Sequence, residues 1–354
     1  MRIGIVGLPL SGKTTVFQLL SRSRGEAPHA RSAEAAIAPV KVPDPRLDLL
    51  AKMFKPKKVT PVTLEYLDLH AKAKTAKGLD GQLIAQLRQT DALVAVIRAF
   101  EDLRIPGEGK IDPAPDAASL ESELFMADLE VVEKRIGKIE ENLKKGRKED
   151  LKELELLKRC REKLLVGVPL RDLGVSSEEE RMLRGFQPLT LKPLLLLLNL
   201  GEGPPPQELP QSLNAMAAHR ATALLALPAK VELELVDLSP EEAEAFRKEL
   251  GLAEPALDRL IKACYDLLGL ITFFTVVGEE LRAWAIPKGT TALKAAGTIH
   301  SDMEKGFIKA EVIGFEALKA SGSYASAKKQ GLLRLEGKDY IVQDGDILTI
   351  RFSP

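Results

Sequence analysis

Hydrophobic positions in the first two hundred residues or so form short continuous runs, separated by amphipathic or polar stretches. Ile3–Val6, Leu93–Ile97 and Leu194–Leu198 are each a few residues long and almost wholly apolar, and Val62–Asp68 is a further strand-like run that ends in an acid. Such runs are typical of strands buried on both faces, as in parallel sheets flanked by helices. The pattern therefore predicts an α/β domain with a mixed, mainly parallel sheet.

A helical repeat interrupts these runs. Apolar residues spaced three and four apart mark two seams, Leu129, Val132, Ile136, Ile139 and Leu143, then Leu154, Leu157, Cys160 and Leu164. The spacing predicts an antiparallel helical hairpin over 119–166, preceded by a loop from Phe100 to Ala118. Cys160 lies on a seam, which favours core packing. The basic turn Lys144–Lys148 between the seams either meets an acidic partner such as RNA or is a solvated turn.

The last part of the chain changes pattern again. Ile271–Val277 and Leu281–Ile286 predict a β-hairpin, followed by a helix over Thr291–Ile299 and by three further short strands. One helix on a small mixed sheet indicates a β-grasp domain over 270–354. No nucleophile, base or metal cluster is evident in it, so we interpret it as a binding module.

The chemistry begins in the loop after the first strand. The residues from Gly7 to Thr14 fit the phosphate-loop pattern G-x-x-x-x-G-K-[ST] at every position, between a strand and a helix. Backbone N–H groups of such a loop bind phosphate, Lys13 reaches the β- and γ-phosphates, and the Thr14 hydroxyl binds Mg²⁺. The predicted nucleotide-binding residues here are Leu8, Pro9, Leu10, Ser11, Gly12, Lys13, Thr14 and Thr15.

Three further residues are candidates for the reaction centre. Asp68 ends a strand as a Walker-B acid does, so we expect it to hold Mg²⁺, although a strand-terminal Asp also serves as a plain cap. Ser32 is a candidate second hydroxyl for the metal or an ordinary loop serine. Lys13 and His70 are the candidate catalytic residues. His70 either takes part in hydrolysis or is only a loop residue.

A second motif follows the strand at Leu194–Leu198. Asn199, Leu200 and Glu202 stand where a GTPase carries Asn-Lys-x-Asp, the segment that reads the base. We expect Asn199 to brace the phosphate loop and the base, and Glu202 to face the purine edge. Glutamate is longer than aspartate and Leu200 replaces the stacking lysine, so the preference between ATP and GTP is left open.

Composition narrows the class of protein. The 354 residues include 51 basic and 51 acidic side chains, so the formal net charge is zero. The charge of the whole protein therefore does not favour binding to nucleic acid or to a membrane. Two cysteines suit a reducing compartment, and no apolar run approaches the length of a membrane helix. We expect a cytoplasmic, monomeric protein without membrane contact, with a nucleotide domain over 1–118 and 167–269.

Longer segments around these motifs resemble one family. They are Val-Pro-Asp-Pro-Arg-Leu-Asp at 42–48, Leu-Thr-Leu-Lys-Pro at 189–193, the run at 288–308, and Gly-Lys-Asp-Tyr-Ile-Val-Gln-Asp-Gly-Asp at 337–346. The chain resembles the YchF/Obg-like ATPase family over nearly its whole length. The resemblance implies a translation-factor-class GTPase domain, a coiled-coil hairpin, a C-terminal TGS domain, binding of ATP as well as GTP, and association with the ribosome or ribosomal RNA.

Departures from the family pattern leave two functions open. After Asp68 the chain has Ala71 and Lys72 where the family has a glycine and a hydrophobic residue, and Pro106 stands in place of a loop histidine. These departures predict that the chain is a divergent paralogue within this family. It is either a slow Mg²⁺-dependent ATP/GTP hydrolase that switches on the ribosome, or a hydrolysis-impaired adaptor that binds nucleotide and acts through its hairpin and TGS domain.

Overall fold

A computed structural model describes residues 1–21, 36–69, 79–101, 112–148, 150–202, 210–252 and 254–353. The chain divides into two compact units. The first contains Met1–Val40 and Glu65–Leu267, and the second contains Lys41–Leu64 and Leu268–Pro354. The second unit is therefore built from two separate parts of the chain, a division that the sequence pattern did not indicate.

Strands and helices follow one another along residues 1–267. In chain order they begin β1 (Arg2–Gly7), α1 (Lys13–Ser21), β2 (Ala36–Lys41), α2 (Pro45–Phe54), β3 (Lys58–Thr60), β4 (Thr63–Asp68), α3 (Gly81–Arg88), β5 (Ala92–Ala99), α4 (Pro113–Lys144) and α5 (Leu151–Leu165). They continue with a 3₁₀ turn (Leu170–Asp172), α6 (Ser177–Leu183), β6 (Leu194–Leu200), α7 (Gln211–Ala217), β7 (Thr222–Leu227), α8 (Ala229–Leu235), α9 (Pro240–Glu249) and α10 (Ala256–Leu267).

The remaining elements, together with α2 and β3, belong to the second unit. They are β8 (Leu270–Val277), β9 (Glu280–Pro287), α11 (Ala292–Ile299), α12 (Ser301–Lys305), β10 (Phe307–Gly314), α13 (Phe315–Ser321), α14 (Tyr324–Lys329), β11 (Arg334–Glu336) and β12 (Asp346–Phe352). Helices α12, α13 and α14 add to the single helix that the sequence pattern predicts. All three are short, which makes them weak signals in a sequence pattern.

The sheet of the first unit has the order β2-β4-β1-β5-β6-β7. Strand β1 pairs in parallel with both β4 and β5, and β5–β6 and β6–β7 are also parallel. The predicted α/β class with a mainly parallel sheet is confirmed. In such sheets, ligands bind outside the carboxyl ends of the strands. The phosphate loop after β1, Asp68 at the end of β4, and Asn199 near the end of β6 all lie at this edge.

Helix α4 begins at Pro113, so the predicted loop from Phe100 to Ala118 is wrong in its last part. Asp112 caps the helix by accepting a hydrogen bond from the Ala114 N–H at 3.0 Å. Pro113 and Pro115 lie in the first turn, where a missing N–H costs nothing because those groups have no partner within the helix. A proline-rich stretch that resembles a loop is therefore the start of a helix.

The helical hairpin that the sequence predicts is present as α4 and α5. Its core is formed by seam residues that are almost fully buried, namely Val132, Ile136, Ile139, Leu154, Leu157, Cys160 and Leu164. Arg135 and Glu153 join the two helices through hydrogen bonds of 2.8 and 2.7 Å. Cys160 is packed in this core, as its position on the seam predicts.

The second unit is a mixed sheet with the order β11-β10-β12-β8-β9-β3. Strands β8 and β12 pair in parallel, while the hairpin β8–β9 and the pair β10–β12 are antiparallel. The edge strand β3 comes from the segment 41–64 and pairs in parallel with β9. The hydrophobic core of the second unit includes Phe273, Ala292, Ala295, Ala310 and Leu348.

Among the described residues, no helix combines the length and the apolar character needed to cross a bilayer.

Candidate nucleotide site

The loop between β1 and α1 holds a conformation that depends on glycine. Gly12 has φ +83°, and a Cβ atom there would lie 2.0 Å from Asn199 Nδ2. Gly7 is similarly confined, because a Cβ atom would lie 2.6 Å from Ser11 Oγ and 2.7 Å from the Val96 carbonyl oxygen. Both glycines of the motif are therefore required for close packing around the loop.

Lys13 extends from the start of α1 to the end of β4. Its amino group donates to the Leu69 carbonyl and lies 3.3 Å from Asp68 Oδ1. Asp68 is fully buried, and the Lys13 side chain is 15% exposed. The structure thus brings together the cation and the carboxylate that the sequence assigns to phosphate and metal binding.

Asn199 joins the phosphate loop to the start of α8. Its side chain is 4% exposed, its Nδ2 donates to the Ser11 carbonyl at 3.1 Å, and its Oδ1 accepts from the Ala229 N–H at 3.2 Å. Ala229 is the first residue of α8. The amide therefore holds the phosphate loop against the start of α8, which agrees with the brace expected of it.

The two residues expected to face the base lie in different environments. Leu200 is 8% exposed and belongs to the apolar core of the first unit. Glu202 is exposed and forms an ion pair with Lys230, with 3.0 Å between Oε1 and Nζ. Contacts of Asn199, Leu200 and Glu202 with a purine stay predictions.

Phe100 borders the same site, although no sequence motif identifies it as a site residue. It follows β5, and its ring atom Cε1 would lie 3.6 Å from a Cβ atom on Gly12, while its own Cβ would lie 3.3 Å from one on Gly201. The Arg98 guanidinium lies over the ring, 5.4 Å from its centroid. The signal that could have found it is an aromatic residue directly after a buried parallel strand, where ligands bind.

The donor groups fit a magnesium ion shared with phosphate. Thr14 is exposed at the start of α1, and its hydroxyl and the Asp68 carboxylate are the oxygen ligands that Mg²⁺ prefers. Within the described ranges, no three His, Cys, Asp or Glu side chains are grouped to hold a metal. Few protein ligands suit Mg²⁺, because this ion usually keeps water and phosphate oxygens in its coordination shell.

Several predicted residues lie outside the described ranges. They are Ser32, His70, Ala71, Lys72 and Pro106. The predicted metal role of Ser32 and the predicted catalytic role of His70 therefore stay predictions.

Comparisons of fold support the nucleotide domain. The solved structure of the Schizosaccharomyces pombe YchF GTPase is similar, with a TM-score of 0.83 and 28% identity over 99% of this chain and 97% of that chain. A GTP binding protein from Pyrococcus horikoshii OT3 is similar in fold, with a TM-score of 0.61 and 17% identity over 100% of both chains.

Comparisons of sequence identify the family. The family model YchF-GTPase_C, described as a protein of unknown function (DUF933), matches residues 270–353. The ribosome-binding ATPase YchF of Bacillus subtilis (strain 168) is 39% identical over 360 residues, which cover 99% of this chain and 98% of that protein. The ribosome-binding ATPase YchF of Escherichia coli O157:H7 is 40% identical over 359 residues, 99% of each. This chain therefore belongs to the YchF family, as its motifs predict.

Proposed function

We propose that this chain is a Mg²⁺-dependent purine-nucleotide switch that hydrolyses ATP or GTP slowly and associates with ribosomes. The observation that carries the proposal is the Lys13 amino group, held 3.3 Å from the buried Asp68 carboxylate beside a glycine-dependent loop. The names of the relatives, ribosome-binding ATPase and GTPase, support the same activity.

The phosphate loop and Asp68 have separate roles in this proposal. The backbone N–H groups at the start of α1 and the Lys13 ammonium bind phosphate oxygens and stabilise charge on the transferred phosphoryl group. Thr14 and Asp68 would hold Mg²⁺, which, when bound, polarises the phosphate oxygens as a Lewis acid. In the protein without nucleotide, Asp68 holds Lys13 near the position where phosphate binds.

Residues on the other side of the loop are proposed to contact the base. Phe100 offers an aromatic face next to Gly12 and Gly201, and Glu202 follows directly. The Glu202 carboxylate is already paired with Lys230 at 3.0 Å, on an exposed surface where such pairs are weak. A long, partly engaged glutamate reads guanine poorly, so we propose that ATP binds at least as well as GTP.

The proposed partner is the ribosome, reached through the turn of the helical hairpin. Lys144, Lys145, Arg147 and Lys148 are exposed there, and clustered basic side chains bind nucleic-acid phosphates. Association with the ribosome would place the protein in the cytoplasm. We propose that it works there as a monomer.

The test is a titration with non-hydrolysable ATP and GTP analogues, with Mg²⁺ or with EDTA. Lys13→Ala is the variant, and Lys41→Ala, which changes an exposed lysine of β2, is its matched control. We expect Lys13→Ala to weaken binding roughly 10- to 100-fold, as for loss of a hydrogen bond to a charged group, and EDTA to weaken binding in the unchanged protein.

Turnover on the same preparations, with and without ribosomes, then separates a hydrolase from a nucleotide-binding adaptor. Hydrolysis that requires Lys13 supports the proposal. Tight binding without turnover in either condition would favour the adaptor. Equal affinity of the unchanged protein and Lys13→Ala would contradict the phosphate role of the loop.

A further inference from the structure

Helices α8, α9 and α10 border a cavity of ≈ 720 Å³ in the first unit, and α1 contributes Leu19 to its wall. This volume lies within the range of roughly 300–1,000 Å³ that small-molecule sites occupy. Among the described residues, the lining includes none of the phosphate loop, and neither Asp68 nor Asn199. The cavity is therefore not part of the candidate nucleotide site.

Most of the cavity wall is apolar. Leu19, Leu235, Leu252 and Leu257 all line it and are buried. Leu238, in the turn between α8 and α9, lines it as well and is exposed. An apolar group placed among these side chains would be removed from water together with the remaining surface of the wall, which favours binding.

One buried ion pair lies in this wall. Glu232 is 2% exposed, and Arg247 Nε donates to both of its carboxylate oxygens at 3.4 Å. These bonds are long for a charge-assisted pair, in which the distance is typically about 2.7–2.9 Å. Within the described part of the chain, no residue accepts a hydrogen bond from the two terminal nitrogens of the guanidinium. The guanidinium therefore has donors left for a second anion.

The other charges around the cavity favour an anion beside Arg247. Lys248 follows it on α9, lines the cavity and is exposed. Among the acids of the lining, Glu232 is offset by Arg247, and Asp258 lies in the first turn of α10, where the helix terminus offsets its charge. Glu244 is exposed, so solvent and salt screen its charge.

We propose that this cavity binds an amphipathic carboxylate, with its apolar chain among the leucines and its head group on the Arg247 guanidinium. The planar guanidinium matches a carboxylate in a bidentate geometry. A singly charged head group suits the site better than a phosphate, because the Glu232 carboxylate is buried beside the same guanidinium. The proposal is independent of the proposed function.

The test is a titration of the whole chain with decanoate, decanol and decylamine, each below the concentration at which it self-associates. The three probes share an apolar chain and differ only in the head group. Calorimetry measures their affinities. Amide hydrogen exchange in peptides from α8, α9 and α10 locates the bound probe.

Two variants remove the guanidinium. Arg247→Met leaves Glu232 buried without its partner, so we expect it to be less stable. The double variant Glu232→Gln with Arg247→Met removes both charges and keeps side chains of similar size in the wall. Lys262→Met, at an exposed position of α10 outside the cavity lining, is the matched control. Thermal unfolding is measured on every preparation.

We expect decanoate to bind the unchanged protein about 10-fold more tightly than decanol, to bind more tightly than decylamine, and to slow exchange in α8 and α9. The double variant should lose roughly 10- to 100-fold in affinity for decanoate, as for loss of a hydrogen bond to a charged group. Its affinity for decanol should stay unchanged, which a merely structural ion pair would not predict. The control should bind all three probes as the unchanged protein does.

Three results would overturn the proposal. Equal affinity of the double variant and the unchanged protein for decanoate would remove the role of Arg247. Tighter binding of decylamine than of decanoate would show that the acids of the lining select the head group. Absence of decanoate binding, or protection only outside α8, α9 and α10, would contradict the site itself.

Discussion

Gly12 and Asn199 are the residues on which the shape of the phosphate loop depends. The loop passes so close to the Asn199 amide that a Cβ atom on Gly12 would lie 2.0 Å from Nδ2. In return the amide donates to the Ser11 carbonyl and accepts from Ala229. One buried amide therefore orients the loop and the start of α8, and the proposed phosphate binding requires the loop to keep this conformation.

Gly12→Ala should damage this arrangement far more than an alanine elsewhere. The new methyl group would meet the Asn199 amide, and φ +83° is strained for any L-residue. We expect nucleotide binding to be lost and the free energy of unfolding to fall by about 1–3 kcal/mol. Gly185→Ala is the control, because nothing lies within 4 Å of a Cβ atom there.

Calorimetry and nucleotide titration of both variants check this prediction. Normal affinity in Gly12→Ala would show that the loop rearranges at little cost, and that Asn199 does not fix its shape.

At the scale of single residues, the sequence predicted the candidate site residues but only part of the contacts that they make. Lys13 and Thr14 follow from a motif whose spacing reflects the size of a phosphate, and Asp68 follows from its place at the end of a predicted strand. The proximity of Phe100 to Gly12 and Gly201 does not follow from any spacing, because it depends on how far β5 and β6 extend before they turn.

The segment 41–64 belongs to the second unit, which the sequence pattern did not predict. The chain leaves the first unit after Val40, forms α2 and β3, and returns at Glu65. In the second unit β3 extends the sheet at β9, and Thr60 donates to Glu280 at 2.8 Å. Asp68 lies only a few residues after the return, so the second unit is joined covalently to the strand that ends at the candidate nucleotide site.

Arg46 fastens this segment to the rest of the second unit. Its guanidinium pairs with Asp44 at 2.8 Å and with Asp344 at 2.6 Å, and it lies 5.5 Å from the centroid of the Phe274 ring. Asp344 also accepts from the Thr272 N–H at 2.8 Å. One side chain thus joins α2 to the loop before β12 and to β8.

Arg46→Met should loosen the second unit selectively. The pair with Asp344 is partly exposed and solvent-screened, so we expect a loss of about 1 kcal/mol. Faster amide exchange in α2, β3 and β8 would report it, with little change in α4. Lys52→Met, at an exposed position of the same helix, is the control. Uniformly faster exchange across the whole chain would contradict a local role for Arg46.

At the scale of the whole molecule, the reactivity of the two buried cysteines reports whether the surrounding cores open to solvent. Cys160 is buried in the hairpin core and Cys264 in α10. Burial raises the pKa of Cys160 to about 11 and that of Cys264 to about 12. The thiolate is the reactive form, and an exposed thiol ionises near pH 8.5.

Both thiols should therefore stay unreactive toward a disulfide reagent at pH 7 and at pH 9 in the native protein, and react at once in denaturant. Mass spectrometry of the labelled peptides distinguishes the two sites. Fast native labelling at pH 9 would contradict the raised pKa values and indicate that one core opens readily.

What the sequence alone determined about this protein is local. The apolar runs specified the strands, the three- and four-residue spacing specified the hairpin, and the phosphate-loop motif specified the ligand class, because each depends on residues close together along the chain. Tertiary structure alone decided that Asn199 also binds the Ala229 N–H, that Glu123 holds Leu79, and that 41–64 completes the second unit. These contacts join residues far apart in the chain, so packing rather than periodicity determines them.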